Sequence, residues 1–565
     1  MRELSFNVRE ENLSQLASQR FDVLVIGGGV TGVGVALDAV SRGYSVALVE
    51  KKDFASGTSS KSTKLVHGGI RYLPNFDFSL VHEALVERGL LLQNASYLVK
   101  PIEFVLPMYK GDRHPVGMPF TTPKGIGLGQ ILNIGLTMYD SMAGRRGTGW
   151  HRHLKRAGVI KRAPALVTEG LEDGFTYYDA QTNDARLTVM LMRTASQYGA
   201  TIANYCELTS FTKNKHDKID GAILHDKIGD RDIAVHARHV INATGIFADS
   251  VEEMTGVEPQ VTVEPSKGVH LVLSREDLKI GDAAIVLPET EDKRILFIVP
   301  WGSRVIYGTT DTGSGDIEHP RVMQDEITYL LKYLNRYLNV HLTEDNIVST
   351  YAGYRPLVKP RRTNMSTAKL SRSHSVIESS SGLVSIVGGK LTTYRRMAQD
   401  TVDILSKRDN VKPVHPTVNL PLLGGAGWPR VKQEVEQRGR ALGLSAETIA
   451  HLGNSYGTEA NVILNYVEQD AANGTLLISD LPYIRAEVLY GCQYEMALTP
   501  TDILSRRTSI TLEDRQRGLG ILDEIAEIMS SEHSWPSAIR QQFNDEYREE
   551  IEGQLATEKG LQPAR

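Results

Sequence analysis

Gly27, Gly29 and Gly32 stand in a G-x-G-x-x-G spacing, with Gly28 and Thr31 between them and an acid, Glu50, about 20 residues further on. This pattern binds a dinucleotide. The first glycine permits a tight turn, the second lets backbone approach a pyrophosphate, and the third lets a helix pack on a strand. The helix N-terminus attracts phosphate charge, and Glu50 can accept hydrogen bonds from a ribose diol. An acid at this place disfavours a 2′-phosphate, which leaves NAD or FAD. After Glu50 comes a stretch dense in hydroxyls, glycines and bases, with Thr58, Ser59, Ser60, Lys64, Leu65, His67, Gly68, Gly69, Arg71 and Tyr72. It suits a cofactor that extends past its pyrophosphate to an isoalloxazine ring, and so FAD.

The elements that must position these residues are legible around them. Residues 22–26 are a short β-branched apolar run of the kind that forms a buried parallel strand. Residues 33–41 read as a helix and 45–49 as a second strand. Further on, 240–242 is a buried strand that ends in the small-residue turn Ala243-Thr244-Gly245. In a flavoprotein with one Rossmann domain, such a strand returns beside the first. Residues 267–273, 294–300 and 305–307 alternate or run apolar, as strands of an antiparallel sheet do, and His270 lies in the first of them. Pro356 biases Arg355 towards extended geometry, from which a guanidinium can clamp an anion with two hydrogen bonds. Residues 383–387 form another strand, and Gly388-Gly389-Lys390-Leu391-Thr392 opens a helix. That helix N-terminus would stabilise an anionic reduced flavin, with Lys390 adding a positive charge or a substrate contact.

Composition bounds the rest. A chain of 565 residues with a formal charge of −5 suggests two to four domains and no general affinity for nucleic acid. Its two cysteines, Cys206 and Cys492, are far apart and outside any metal-ligand spacing, which suggests a reducing cytosol and neither a disulfide framework nor a metal site. The first twenty residues are not a secretory signal, and no apolar run suits a membrane span. One segment, 145–162, carries seven Lys or Arg and no acid. Such a run, with Trp150 inside it, can hold a protein to an anionic membrane surface or remain a solvated loop. No second dinucleotide motif is present, so electrons should come from the organic substrate itself.

The run from Gly27 to Gly32, Thr58-Ser59-Ser60 and 64–73 closely resemble the FAD-dependent glycerol-3-phosphate dehydrogenase family. The resemblance extends through 242–245, 308–311, 351–357 and 388–395 and covers nearly all of the chain. It implies an α/β fold: an FAD-binding Rossmann-like domain of the D-amino-acid-oxidase/glutathione-reductase type, an antiparallel-sheet substrate domain and a C-terminal helical domain. We expect these at 18–101, 184–255 and 345–410 for FAD, 102–183 and 256–344 for substrate, and 411–565 for the helices. The implied reaction is oxidation of sn-glycerol 3-phosphate to dihydroxyacetone phosphate, with hydride passing from C2 to flavin. Arg71 and Arg355 then read as anion clamps, with Tyr72 and Lys390 beside the substrate. His67 is the first choice for the base and His270 the second.

The implied acceptor is a quinone, with the protein peripheral on the cytoplasmic membrane face and homo-oligomeric, as a dimer. An oxidase of the same family, passing electrons to O₂, is the close alternative. An FAD amine oxidase and a protein that keeps flavin only as a structural group are the remaining ones. Asp184 and Arg186 match an acid-plus-arginine pair of the family, and they read as a capped helix start with a local ion pair. From about Pro413 the chain is helix-rich. Thr499-Pro500-Thr-Asp502 is a helix start, 512–529 one helix, and the tail after Ile551 frayed.

Overall fold

Residues 22–26 form a strand because they are apolar on both faces and have both faces covered. The strand Arg20–Ile26 lies inside a sheet whose parallel neighbours are Val46–Val49 and Arg231–Asn242, with Thr201–Ala203 and Val384–Gly388 next outwards. Val23 and Val25 face the helices Val30–Ser41, Asp184–Gln197 and Tyr394–Arg408. Leu24 and Ile26 face the other way, towards the helix Phe6–Ser18. An antiparallel meander, Cys206–Lys213 and Ile219–Asp226, extends the return strand, and His374–Glu378 closes one edge antiparallel. The computed structural model describes residues 2–75, 77–112, 127–288, 290–313, 315–360 and 374–561, without the side chains of Arg71, Pro74, Asn75 and Pro360.

Register places the glycine turn. Ile26 sits level with Val49 and Asn242, and Asn242 with Ser385. The turns at 27–29, 243–245 and 388–389 therefore open on the same edge, the carboxyl ends of parallel strands where α/β sheets bind ligands.

The second sheet runs Ile347–Pro360, Val261–Ser274, Arg304–Gly308, Phe297–Trp301, Ala284–Val286, Lys100–Tyr109, Leu171–Gln181 and Leu65–Val66. It is antiparallel apart from the pair Ala284–Val286 with Lys100–Tyr109. Its long central pair, Val261–Ser274 with Ile347–Pro360, sets Ser266 opposite Arg355, Gly268 opposite Gly353 and His270 opposite Tyr351. The C-terminal helices bury their own cluster around Leu481, Val488, Ile503, Ile525 and Tyr547.

Several expectations need correction. Ile347–Pro360 and Leu65–Val66 belong by pairing to the second sheet, although both fall inside spans assigned by sequence to the FAD domain. The chain start holds the helix Phe6–Ser18, with Ser5 as N-cap and Arg9, Asn12, Leu13 and Leu16 buried. The first βα helix begins at Val30, not 33, because Gly29 is its cap and Gly32 and Gly34 lie within it. One helix over 512–529 does not form. Arg517 and Gly518 both have positive φ, 57° and 82°, and the helix Leu522–His533 starts after them. The final helix, Ser537–Glu558, continues past Ile551 instead of fraying. Leu555 packs on the C-terminal cluster, and Glu558 accepts hydrogen bonds from Thr350 and Arg517.

The Asp184–Arg186 reading changes most. Asn183 caps the helix, and the two residues form no pair with each other. Asp184 takes Lys64, and Arg186 takes Glu495 in the C-terminal domain. The basic segment is structured too, as the strand Arg152–Lys155 and the helix Arg156–Arg162. His151 and Arg162 are partnered by Asp140 and Glu103.

Candidate active site

The glycine edge is built by backbone proximity. Gly27 has φ +112°, and a Cβ there would lie 2.6 Å from the Ala243 carbonyl oxygen. A Cβ on Gly32 would lie 1.9 Å from the Gly27 carbonyl oxygen. Only glycine closes this turn, and Gly29 then presents the N-terminus of Val30–Ser41, where Ser59 Oγ accepts the Val30 N–H at 2.8 Å. The Glu50 carboxylate accepts the N–H groups of Gly28 and Lys52 at 2.6 and 2.9 Å. Burial pushes its pKa up against those two bonds. On the far side, Gly388 and Gly389 are consecutive positive-φ residues, and a Cβ on Gly389 would strike Met397 Sδ at 2.3 Å. This double turn starts the segment Leu391–Thr393, where Thr392 Oγ1 accepts the His67 N–H at 3.1 Å.

A cavity of about 1330 Å³ opens on this edge and runs on to the second sheet. That exceeds the roughly 300–1,000 Å³ of a site for one small ligand. Gly27, Gly29, Thr31, Glu50, Thr58, Ser59, Ser60, Leu65, His67, Gly69, Ala243, Thr244, Gly245, Gly388, Gly389, Lys390, Leu391 and Thr392 all line it. So do Tyr72, His270 and Arg355. Gly28, Gly32, Gly68 and Lys64 stand behind the wall as its supports. Gly68 donates its N–H to Asp179 and to the Tyr139 hydroxyl, and Lys64 turns its ammonium to Asp184. The Arg71 side chain lies outside the described residues.

Cross-strand pairing assembles the substrate end. Residues two apart on a strand share a face, so Ser266, Gly268 and His270 face Arg355, Gly353 and Tyr351. His270 stacks on Tyr351 with ring centroids 4.7 Å apart, and its Nε2 lies 2.9 Å from Thr63 Oγ1. Its Nδ1 is buried and has no hydrogen-bond partner among the described residues, an orphan that a ligand hydroxyl suits. Burial, then the charges of Arg355 and Lys64, hold the imidazole well below its usual pKa, so it is neutral. Arg355 donates to Thr309 Oγ1 at 3.0 Å, Thr310 O at 3.2 Å and Ser266 Oγ at 3.3 Å. A Cβ on Gly268 would come within 2.6 Å of its Nη2, so the glycine makes room for the guanidinium. Lys390 Nζ lies 4.1 Å from the centroid of the Tyr72 ring.

Sequence reasoning missed Thr63, Tyr351 and Thr309. Tyr351, Gly353 and Arg355 alternate along one strand, a period-2 signal that would have put the tyrosine beside the arginine. The C-terminal domain's share was also missed. Asp53, three residues after Glu50, is gripped by Arg507 and Arg506. Burial would raise its pKa, but the two guanidiniums hold it down at about 2.

A glycine cradle, a helix N-terminus, a ribose-directed acid and a long cavity ending in cationic side chains define a flavoprotein oxidoreductase. A family profile described as "FAD dependent oxidoreductase" matches residues 22–395, and one described as "C-terminal domain of alpha-glycerophosphate oxidase" matches 415–540. The mitochondrial glycerol-3-phosphate dehydrogenase of Rattus norvegicus is 38% identical over 560 residues, covering 94% of this chain and 73% of that protein. Glycerol-3-phosphate dehydrogenase 2 of Mycobacterium bovis is 37% identical over 533 residues, with 93% and 87% covered. The crystal structure of the glycerol-3-phosphate dehydrogenase of Bacillus halodurans complexed with FAD superposes with a TM-score of 0.79 at 30% identity, covering 97% of this chain and 98% of that one. The chain belongs to the glycerol-3-phosphate dehydrogenase family of FAD-dependent oxidoreductases.

Proposed function

We propose that this protein oxidises sn-glycerol 3-phosphate to dihydroxyacetone phosphate and passes the electrons to a quinone. The observation that carries the reading is the placing of Arg355, His270, His67 and Lys390 on one cavity continuous with the FAD cradle. FAD, when bound, supplies the two-electron hydride acceptor. Gly27, Gly29 and the helix N-terminus behind them hold its diphosphate, and Glu50 its ribose. Arg355, already oriented by Ser266, Thr309 and Thr310, binds the substrate phosphate as a guanidinium fork. Arg71 is proposed as its companion from the segment Ile70–Asn75. An imidazole, that of His67 by our first assignment and of His270 by the second, accepts the C2 hydroxyl proton. Lys390 adds positive potential where negative charge develops.

The membrane is the proposed meeting place with the quinone. No helix among the described residues is long and apolar enough to cross a bilayer. The surface around Leu128–Ala143 and the basic segment after it exposes Ile134 and Trp150, at 65% and 62%, beside Arg145, Arg146 and Arg152. Exposed apolar groups in the same stretch of chain as exposed cations suit an anionic lipid surface. Homodimer formation is carried over from the family resemblance, and the elution volume of the purified protein tests it.

A second reading, an oxidase that uses O₂, is favoured by the C-terminal match to a domain described from alpha-glycerophosphate oxidase. Anaerobic addition of sn-glycerol 3-phosphate to the purified yellow protein tests both. Bleaching of the visible flavin band supports the substrate, and an unbleached band refutes it. Recovery only with quinone supports the dehydrogenase, and rapid recovery in air the oxidase.

A further inference from the structure

The segment from Phe175 to Arg186 carries two buried aspartates, each of which holds part of the stretch that leads into the cavity. Asp184 Oδ2 accepts the N–H of Ser62 at 2.9 Å and its hydroxyl at 2.7 Å. Its Oδ1 takes the Lys64 ammonium, which also donates to the Ser60 carbonyl at 3.3 Å. Asp179 Oδ1 accepts the Gly68 N–H at 3.0 Å, the Tyr139 hydroxyl at 2.7 Å and Arg88 Nη1 at 2.6 Å. Between these grips, Leu65 and Val66 pair antiparallel with Gln181 and Ala180. The stretch 62–68 is thus held at both ends and in the middle by one segment.

The held stretch matters for what it carries. Thr63 touches His270 Nε2, and His67 lines the cavity. Lys64, between them, sits at φ +58°, a backbone state that a residue with a side chain rarely adopts unless its surroundings enforce it. Buried ion pairs contribute little net stability compared with well-packed apolar residues. One such pair, Asp184 with Lys64, lies on this short stretch, and a second, Asp179 with Arg88, fixes the carboxylate that holds Gly68, which points to geometry.

We propose that Asp179 and Asp184 are positioning residues for the oxidation, setting the stretch 62–68 and through it the orientation of both His67 and, by way of Thr63, His270. The proposal rests on the reading that this stretch faces the flavin and the substrate.

The test uses the FAD-loaded full chain with Asp179→Asn and Asp184→Asn. Two quantities are read, amide hydrogen exchange across 62–69 without substrate, and the rate constant of anaerobic flavin reduction. The expected result is exchange at least ~10-fold faster in that stretch and reduction ~10- to 100-fold slower at saturating substrate, because misplacement by about 1 Å costs that much. FAD content should stay at wild-type level in both variants, and half-saturation within about threefold in Asp184→Asn, whose carboxylate does not line the cavity. Unchanged exchange would overturn the proposal, as would faster exchange with an unchanged rate constant. If either variant fails to fold, Ser62→Ala and Thr63→Val decide, because both leave the buried pairs intact. Ser62→Ala must loosen the stretch, and Thr63→Val must slow reduction without loosening it, and failure of either result overturns the proposal. A wild-type protein that sn-glycerol 3-phosphate does not reduce would refute the functional reading, while the exchange readout would still decide the clamp.

Discussion

The two ends of the cavity are made of different material. At the cofactor end the working groups, the Glu50 carboxylate apart, are backbone: a positive-φ glycine, a helix N-terminus and two turns brought level by strand register. At the substrate end they are side chains, Arg355, His270 and Thr63, each oriented by neighbours on other strands. A backbone site tolerates no added atom, because nothing can rotate out of the way. A side-chain site can be weakened by degrees, because each contact is separately removable.

Substitutions can break or sharpen this contrast. Gly32→Ala should have the largest effect. Its Cβ would meet a carbonyl oxygen at 1.9 Å, so we expect a loss of about 3 kcal/mol or more and protein purified without yellow colour. A yellow Gly32→Ala protein would end the backbone argument. Next is His67→Asn, expected to keep FAD and slow flavin reduction ~10²- to 10⁴-fold, with modest change in substrate affinity. An unchanged rate would move the proton to His270. Arg355→Ala should retain FAD and weaken substrate binding about 100-fold, as loss of one partner in a charged contact does. If it came off the column colourless, Arg355 would belong to the scaffold.

Gly268→Ala is the sharpening case. Here a glycine serves a side chain, so displacement of the guanidinium should cost about tenfold in affinity with FAD intact. The smallest expected effect is on pH. The depressed pKa of His270 keeps it in the base form, which is lost only as pH falls through that low value. If His270 is the base, the reduction rate in the wild type shows no acid limb near pH ~6.5. Arg355→Met removes one of the two cations that hold the imidazole down, and the limb should move to higher pH. A wild-type acid limb near pH ~6.5 would assign the proton to another group.

The same contrast explains what could be read in advance. The glycine edge was legible because G-x-G-x-x-G, Glu50 and the double glycine at 388–389 are local patterns with local causes. The stacking of His270 on Tyr351 depends on pairing between strands that are some 80 residues apart, and local sequence carries no register over that distance. Asp184 misled for a related reason. An acid in the first turn of a helix has an ordinary local explanation, and its true partner, Lys64, lies 120 residues earlier. Arg517 and Gly518 broke a helix that hydrophobic spacing alone had joined. The helix at the chain start was legible in its Ser5 cap and in the spacing of Leu13 and Leu16.

The level register of residues 26, 49, 242 and 385 also sets an order of events during synthesis. The glycine motif leaves the ribosome first, yet the edge it belongs to is complete only when Gly388 and Gly389 have emerged. At about 5–20 residues per second, that is a delay of roughly 20–70 s. For that interval the nascent chain displays a nucleotide-binding signature without the strands that make it a site. Flavin capture is then a late event in biogenesis, and a ribosome stalled before residue 384 would hold a chain that has its motif and no colour.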